Sequence, residues 1–265
     1  MAAMEITTKI HDIDYGNRQD DEVLVLLTSG HVAKVNQSNP YLLSDFSQKN
    51  KDQWFTISLD DDRVITEVVP AEAPFEKSYA KHTHGMSFQN YVPTTIASMD
   101  IAKKYLREGR LNSKDSQCFN RAMVWSYEWW RKHSLKSNKI LIYFTRTYIR
   151  RYNFEWWFHI APYVHVMEDG KVVERVLDVK YTSGPRSFKE WTDIFVNKDP
   201  ACRIITKFSD YADYPYTGDC YIQRTNMYTY QPADLQMNEA WGYTKTTFNM
   251  DEVRGAYLEA FDERH

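Results

Sequence analysis

Apolar positions fall in short strand-length blocks over residues 22–69 and switch to a helical period after Ile96. Val23-Leu24-Val25-Leu26-Leu27 is a continuous apolar run, Ser29-Gly30 supplies a turn, and His31 to Val35 alternates as a returning strand. Trp54 to Leu59 and Val64 to Val69 form a second pair joined by the charged turn Asp60-Asp61-Asp62, and Pro40 to Phe46 reads as one helical turn or a loop. These blocks predict a small β-rich unit. Pro70-Ala71-Glu72-Ala73-Pro74 then breaks the pattern, because proline fixes φ and removes donors, and it reads as a linker. Residues 75–95 are irregular and polar. They contain His82 and His84, whose spacing would put two imidazoles on one face of a strand. No third ligand stands nearby, so an exposed loop is the better reading than a metal site.

Ser98 is placed to cap a helix from Met99 to Glu108, with Gly109 just past its end. Asp115 or Ser116 is placed to cap a second helix, which carries Cys118, Ala122, Trp125 and Trp129 on one stripe. Three strands are predicted next, over residues 140–149, 154–167 and 172–179, the last two joined by a hairpin turn at Glu168-Asp169-Gly170. Ser187 to Glu190 matches a capping box. Residues 199–220 are loop-rich, 221–230 form a strand, and Asn249 with Glu252 opens a C-terminal helix ending near Phe261. The predicted fold class is α+β.

Composition narrows the function. A net charge of -3 argues against a general nucleic-acid binder, which needs a basic face. No apolar run reaches the length of a membrane helix. The 15% aromatic content suits either a ligand groove or a Tyr-rich core. Met1-Ala2-Ala3-Met4 lacks a signal-peptide core and reads as a scar before a trimmed mature start. Of the three cysteines, Cys202 and Cys220 either pair, closing a short loop for about 3 kcal/mol, or stay unconnected. Pairing would leave Cys118 as an odd, reactive thiol.

The chemistry centres on Cys118. A thiol must ionise to be nucleophilic, and the unpaired N–H groups and dipole of a helix N-terminus favour the thiolate. The same N–H groups can face a forming oxyanion. His159, in Trp156-Trp157-Phe158-His159-Ile160-Ala161, is placed to act as base; the alternative is a satisfied core histidine. Asp178 falls across the hairpin, close to opposite position 159 or 161, where a carboxylate would orient the imidazole; the alternative is a strand-end cap. Trp156, Trp157 and Tyr163 are either groove walls or core packing.

These residues resemble the bacterial protein-glutaminase (protein-glutamine deamidase) family. The resemblance rests on Cys118-Phe119-Asn120-Arg121-Ala122, the aromatic pair before His159-Ile160-Ala161, Leu177-Asp178, Ser183-Gly184-Pro185 and Trp191. Cys202, Tyr221, Arg224, Tyr228 and Tyr230 fall where the family has a cysteine and a Tyr/Arg-rich strand. It covers residues 95–235 and implies a papain/transglutaminase-like core, a helix bearing the cysteine packed on an antiparallel sheet. It also implies hydrolysis of protein- or peptide-bound glutamine to glutamate with release of ammonia. Cys118 would be the nucleophile, His159 the base and Asp178 the orienter, with Trp156, Trp157, Tyr163 and Ser183 toward the substrate and no metal or organic cofactor. Residues 22–69 resemble the family's pro-region, which implies a zymogen of residues 1–74 and 75–265 with a processing site at 70–82. The expected partners are therefore a protein or peptide with an accessible glutamine and the chain's own N-terminal domain, in a secreted or periplasmic monomer without nucleic acid or membrane. This chain departs from the family in allowing one disulfide at most and in an additional C-terminal segment. Transglutaminase-type acyl transfer, papain-like peptidase activity and a non-catalytic interaction protein are the rival readings.

Overall fold

The computed structural model describes residues 4–16, 22–35, 50–73, 91–111, 116–196, 200–212, 218–242 and 244–262. The expectations for Pro40 to Phe46, for His82 and His84, and for Asp115 lie outside these residues. The chain divides into two compact units, one of Met1–Glu76 with Arg146–Trp157, the other of Lys77–Thr145 with Phe158–His265.

Among the described residues the first unit holds six strands: β1 (Met4–Thr8), β2 (Ile10–Asp14), β3 (Val23–Leu27), β4 (Val32–Val35), β5 (Phe55–Leu59) and β6 (Ile65–Pro70). They form two antiparallel three-stranded sheets, β1-β5-β6 and β2-β3-β4. Ile6, Ile13, Val25, Ala33, Ile57 and Ile65 meet in one buried core contributed by both sheets. The four strands read from hydrophobic blocks are present; β1 and β2 were not expected. They put only Ile6, Thr8, Ile10 and Ile13 inward, between charged and polar neighbours.

Residues 146–157 close this unit by hydrogen bonds and charge. Val32 N–H donates to the Glu155 carbonyl at 2.8 Å, and the Trp157 backbone N–H and indole Nε1 donate to Gly30 O and Leu27 O at 3.0 and 2.7 Å. The Arg63 guanidinium donates to the carbonyls of Asn153 (2.6 Å) and Phe154 (3.0 Å). Arg146 pairs with Asp12 at 3.1 Å and Arg150 with Asp14 at 2.8 Å. The His11 ring stacks on Trp157 at 4.1 Å; burial, with the nearby Arg146 charge, pushes its pKa down to about 3 and keeps it neutral.

The second unit is built on a six-stranded sheet. In chain order it contains β7 (Thr95–Ile96), α1 (Met99–Glu108), α2 (Cys118–His133) and β8 (Asn138–Phe144). The chain passes through α3 (Arg146–Tyr152) of the first unit and returns as β9 (Phe158–Glu168), β10 (Lys171–Val176), α4 (Phe188–Phe195), β11 (Cys202–Ile205), α5 (Ser209–Ala212), β12 (Cys220–Asn226), α6 (Pro232–Trp241) and α7 (Met250–Phe261). Strand order is β10-β9-β8-β12-β11, with β7 beside β9. The sheet is antiparallel except that β11 runs parallel to β12 and β7 parallel to β9, so it is mixed where an antiparallel one was expected.

Several expectations need correction. The strand expected over 140–149 ends at Phe144 and gives way to a helix, because Tyr148 and Ile149 bury one face of a turn beginning at Arg146. The helix of Cys118 is capped by Gln117 with no side-chain bond; the Ser116 hydroxyl instead accepts from Arg121 at 3.3 Å. Gly109 has φ -64°, not a left-handed C-terminal geometry. Its reason is space, since a Cβ there would lie 2.3 Å from Val179 Cγ2. As expected, Ser187 and Glu190 form a capping box and Asn249 caps α7. Cys202 and Cys220 are direct partners across the β11–β12 ladder and form a disulfide.

Helix α2 packs on β9. Trp125 and Trp129 are 1% exposed and sit in one cluster with Leu106, Val164, Val166 and Leu177. The Trp125 indole donates to the Arg110 carbonyl at 2.8 Å, so its burial leaves no orphan donor. Truncating either tryptophan in such a core costs about 3–5 kcal/mol. This packing fixes the start of α2, and with it Cys118.

Candidate active site

Three side chains expected from the sequence meet in the second unit. Cys118 is the first residue of α2 and the free cysteine among the described residues; it remains partly accessible. His159 is the second residue of β9 and is 2% exposed. Asp178, 1% exposed, follows β10 after Leu177, whose N–H donates to Pro162 O at 2.9 Å. The ladder pairs Val176 with Tyr163, and its continuation brings position 178 beside 161 on the His159 strand. His159 Nε2 lies 2.7 Å from Asp178 Oδ2. The ring's other nitrogen is left for the Cys118 thiol, with which the imidazole is hydrogen-bonded.

The Asp178 carboxylate is not a turn cap. The following turn is closed by its backbone carbonyl, which accepts from Tyr181 N, Thr182 N and Thr182 Oγ1 at 3.1, 2.9 and 2.9 Å. The carboxylate is free for the imidazole and accepts a second bond from Trp191 Nε1 at 3.0 Å. Trp191 and Phe195 on α4 and Tyr181 surround the His159 ring at centroid distances of 5.6, 4.5 and 5.2 Å.

The electrostatics follow from this packing. Burial opposes charge on all three groups. For His159 it is outweighed by the charge and hydrogen bond of Asp178, then by Cys118, and the imidazole is pushed up to about 9. For Cys118 burial is outweighed by the hydrogen bond and charge of His159, then by the charge of Arg121 and the Ile160 backbone N–H, so the thiol is held below its ordinary value. Asp178 is likewise held below the usual carboxylate range, by His159 first and then by Trp191 and Arg121. The arrangement shifts the pair toward thiolate and imidazolium side by side, the form in which a cysteine attacks an acyl carbon.

The remaining expected residues are placed as follows. Trp156 is half-buried and Trp157 buried, both in the first unit. Tyr163 is buried on β9, edge-on to Phe188 at 5.0 Å. Ser183 is exposed in the turn after Asp178. Trp191 and Arg121 stood in the sequence motif without a role. Arg121 had a readable signal, since three residues after Cys118 is the same helix face. The indole bond of Trp191 joins residues 13 apart and had none.

The fold is mixed α+β and is shared with pro-protein-glutaminase. A crystal structure of pro-protein-glutaminase aligns over 97% of this chain and 94% of its own at 15% identity with a TM-score of 0.53. A mutant of pro-protein-glutaminase aligns over 92% and 94% at 13% identity and 0.51. Residues 96–195 match the family model described as glutaminase, and these matches bear out the resemblance to the protein-glutaminase family. No curated protein matches the chain. No helix among the described residues is long and apolar enough to cross a membrane.

Proposed function

We propose that this protein deamidates protein- or peptide-bound glutamine, with Cys118, His159 and Asp178 as its catalytic residues. The observation that carries the reading is the continuous chain from thiol to imidazole to carboxylate, with the thiol lowered and the imidazole raised toward each other. The glutaminase match over residues 96–195 covers the positions of all three residues and supports glutamine as the substrate.

The Cys118 thiolate attacks the γ-carboxamide carbon, and backbone N–H groups at the start of α2 face the oxyanion. His159 passes its proton to the amide nitrogen as the C–N bond breaks, so ammonia leaves and a thioester remains. His159, now neutral, takes a proton from water, the hydroxide attacks the thioester, and glutamate departs as the thiolate is restored. Asp178 keeps the imidazole in the tautomer whose Nε2–H it accepts and stabilises the imidazolium. No metal or organic cofactor enters these steps.

The second unit is read as a papain/transglutaminase-like core and the β-rich N-terminal unit as a pro-region, cleaved within 70–82 in a secreted enzyme. Both crystal structures that share the fold are of pro-protein-glutaminase, which supports the pro-region reading. The test is incubation with a casein-like protein in the presence of a primary amine. Ammonia release with glutamate formation is expected. Incorporated amine would indicate a transglutaminase, and backbone fragments a peptidase.

A further inference from the structure

A second buried charge stands by the thiol. Arg121 follows Cys118 by three residues in the first turn of α2 and is 4% exposed. Its Nη1 donates to the Ser116 carbonyl and, at 3.3 Å, to the Ser116 hydroxyl. Its Nε has no hydrogen-bond partner, and among the described residues no carboxylate forms an ion pair with it. A buried guanidinium without a counter-charge is costly. The acidic groups that feel its charge are Cys118 and Asp178. Thiolate, imidazolium and carboxylate together carry one net negative charge; the guanidinium brings the cluster to zero. Gln117 makes no side-chain cap bond, which leaves the first-turn N–H groups without a side-chain acceptor, while Arg121 ties the Ser116 carbonyl to the helix from one turn on.

We propose that Arg121 is a positioning residue of the site, moored to Ser116, whose charge keeps the Cys118–His159 pair ionised and whose hydrogen bonds set the first turn that presents Cys118. This rests on the thiolate–imidazolium pair of the proposed function. It adds a fourth charge, without which the pair would face Asp178 unbalanced.

The test is the pH dependence of iodoacetamide alkylation in the full-length protein, which reports Cys118 because the other two cysteines are bridged. Arg121→Gln moves the thiol titration to higher pH by about one unit and slows alkylation near pH 6 about tenfold. Arg121→Lys, which keeps the charge, restores most of the wild-type profile and keeps the proposal testable should Arg121→Gln fail to fold. Arg121→Gln superimposing on wild type, or Arg121→Lys shifting by a full unit, overturns the role of the charge. A wild-type thiol titrating at its ordinary value overturns the ion pair as well. Loss of ammonia release in Arg121→Gln with an unshifted alkylation profile marks Arg121 as structural only and overturns the proposal.

Discussion

The Asp178 carboxylate lies 2.7 Å from His159 Nε2, and both side chains are almost wholly buried. That bond makes a buried histidine basic. Because the folded His159 titrates near 9 against an ordinary 6.5, its contribution to stability is complete below about 6.5 and is lost as pH rises through about 9. The general acid is lost over the same alkaline range. Asp178→Asn removes the carboxylate that raises the imidazole. Activity falls at least about 10²-fold, and the alkaline limb of the remaining activity moves from about 9 toward lower pH. A pH–rate profile of the two proteins checks this; an alkaline limb unmoved in the variant contradicts it.

Trp191→Phe keeps the ring beside His159 but removes the indole N–H from Asp178 Oδ2, whose companion Oδ1 already has no hydrogen-bond partner. Hydrogen bonds to a charged group contribute about 1.5–3 kcal/mol. Activity should therefore drop about tenfold or more, with a modest loss of thermal stability. Wild-type kinetics in the variant would show that the carboxylate needs no second donor.

Gly109 connects stability to the site through Val179, the residue after Asp178. Its φ of -64° suits any residue, so the cost of Gly109→Ala is steric: the new Cβ would overlap Val179 Cγ2 and press on Leu106 O at 3.2 Å. Overpacking of this kind costs about 1–3 kcal/mol. Val179→Ala opens the space, so a double-mutant cycle in thermal unfolding should show a favourable coupling of about 1 kcal/mol. Additive single effects would place the strain elsewhere.

A pro-region role for the N-terminal unit predicts that proteolytic cleavage within residues 70–82 raises activity severalfold. Ammonia release before and after limited proteolysis measures it. Unchanged activity would make that unit a docking module.

Much of this was legible in the sequence because it is local. Ser187 to Glu190 sits within one turn, and Val23 to Leu27 is apolar on both faces. Cys118, His159 and Asp178 could be brought together because a helix start and one hairpin register suffice to relate them. What stayed hidden depends on partners distant in sequence. Arg146 to Tyr152 is too short to show a helical period, and its apolar residues extend the β8 run. The α6 helix, Pro232–Trp241, buries only Pro232 and has no apolar stripe to read. The strands β1 and β2 are mostly polar and become strands by pairing with β5 and β3. Asp115 and Ser116 looked like caps because their residue types favour that position, whereas the Ser116 hydroxyl goes to Arg121.

The central claim, that Cys118 performs glutamine deamidation, is tested most directly by mass spectrometry of a glutamine-containing protein incubated with wild type and with Cys118→Ala. Each modified glutamine should gain about 1 Da with release of one ammonia in the wild type, and neither change should occur in the variant. Undiminished deamidation by Cys118→Ala would contradict the account.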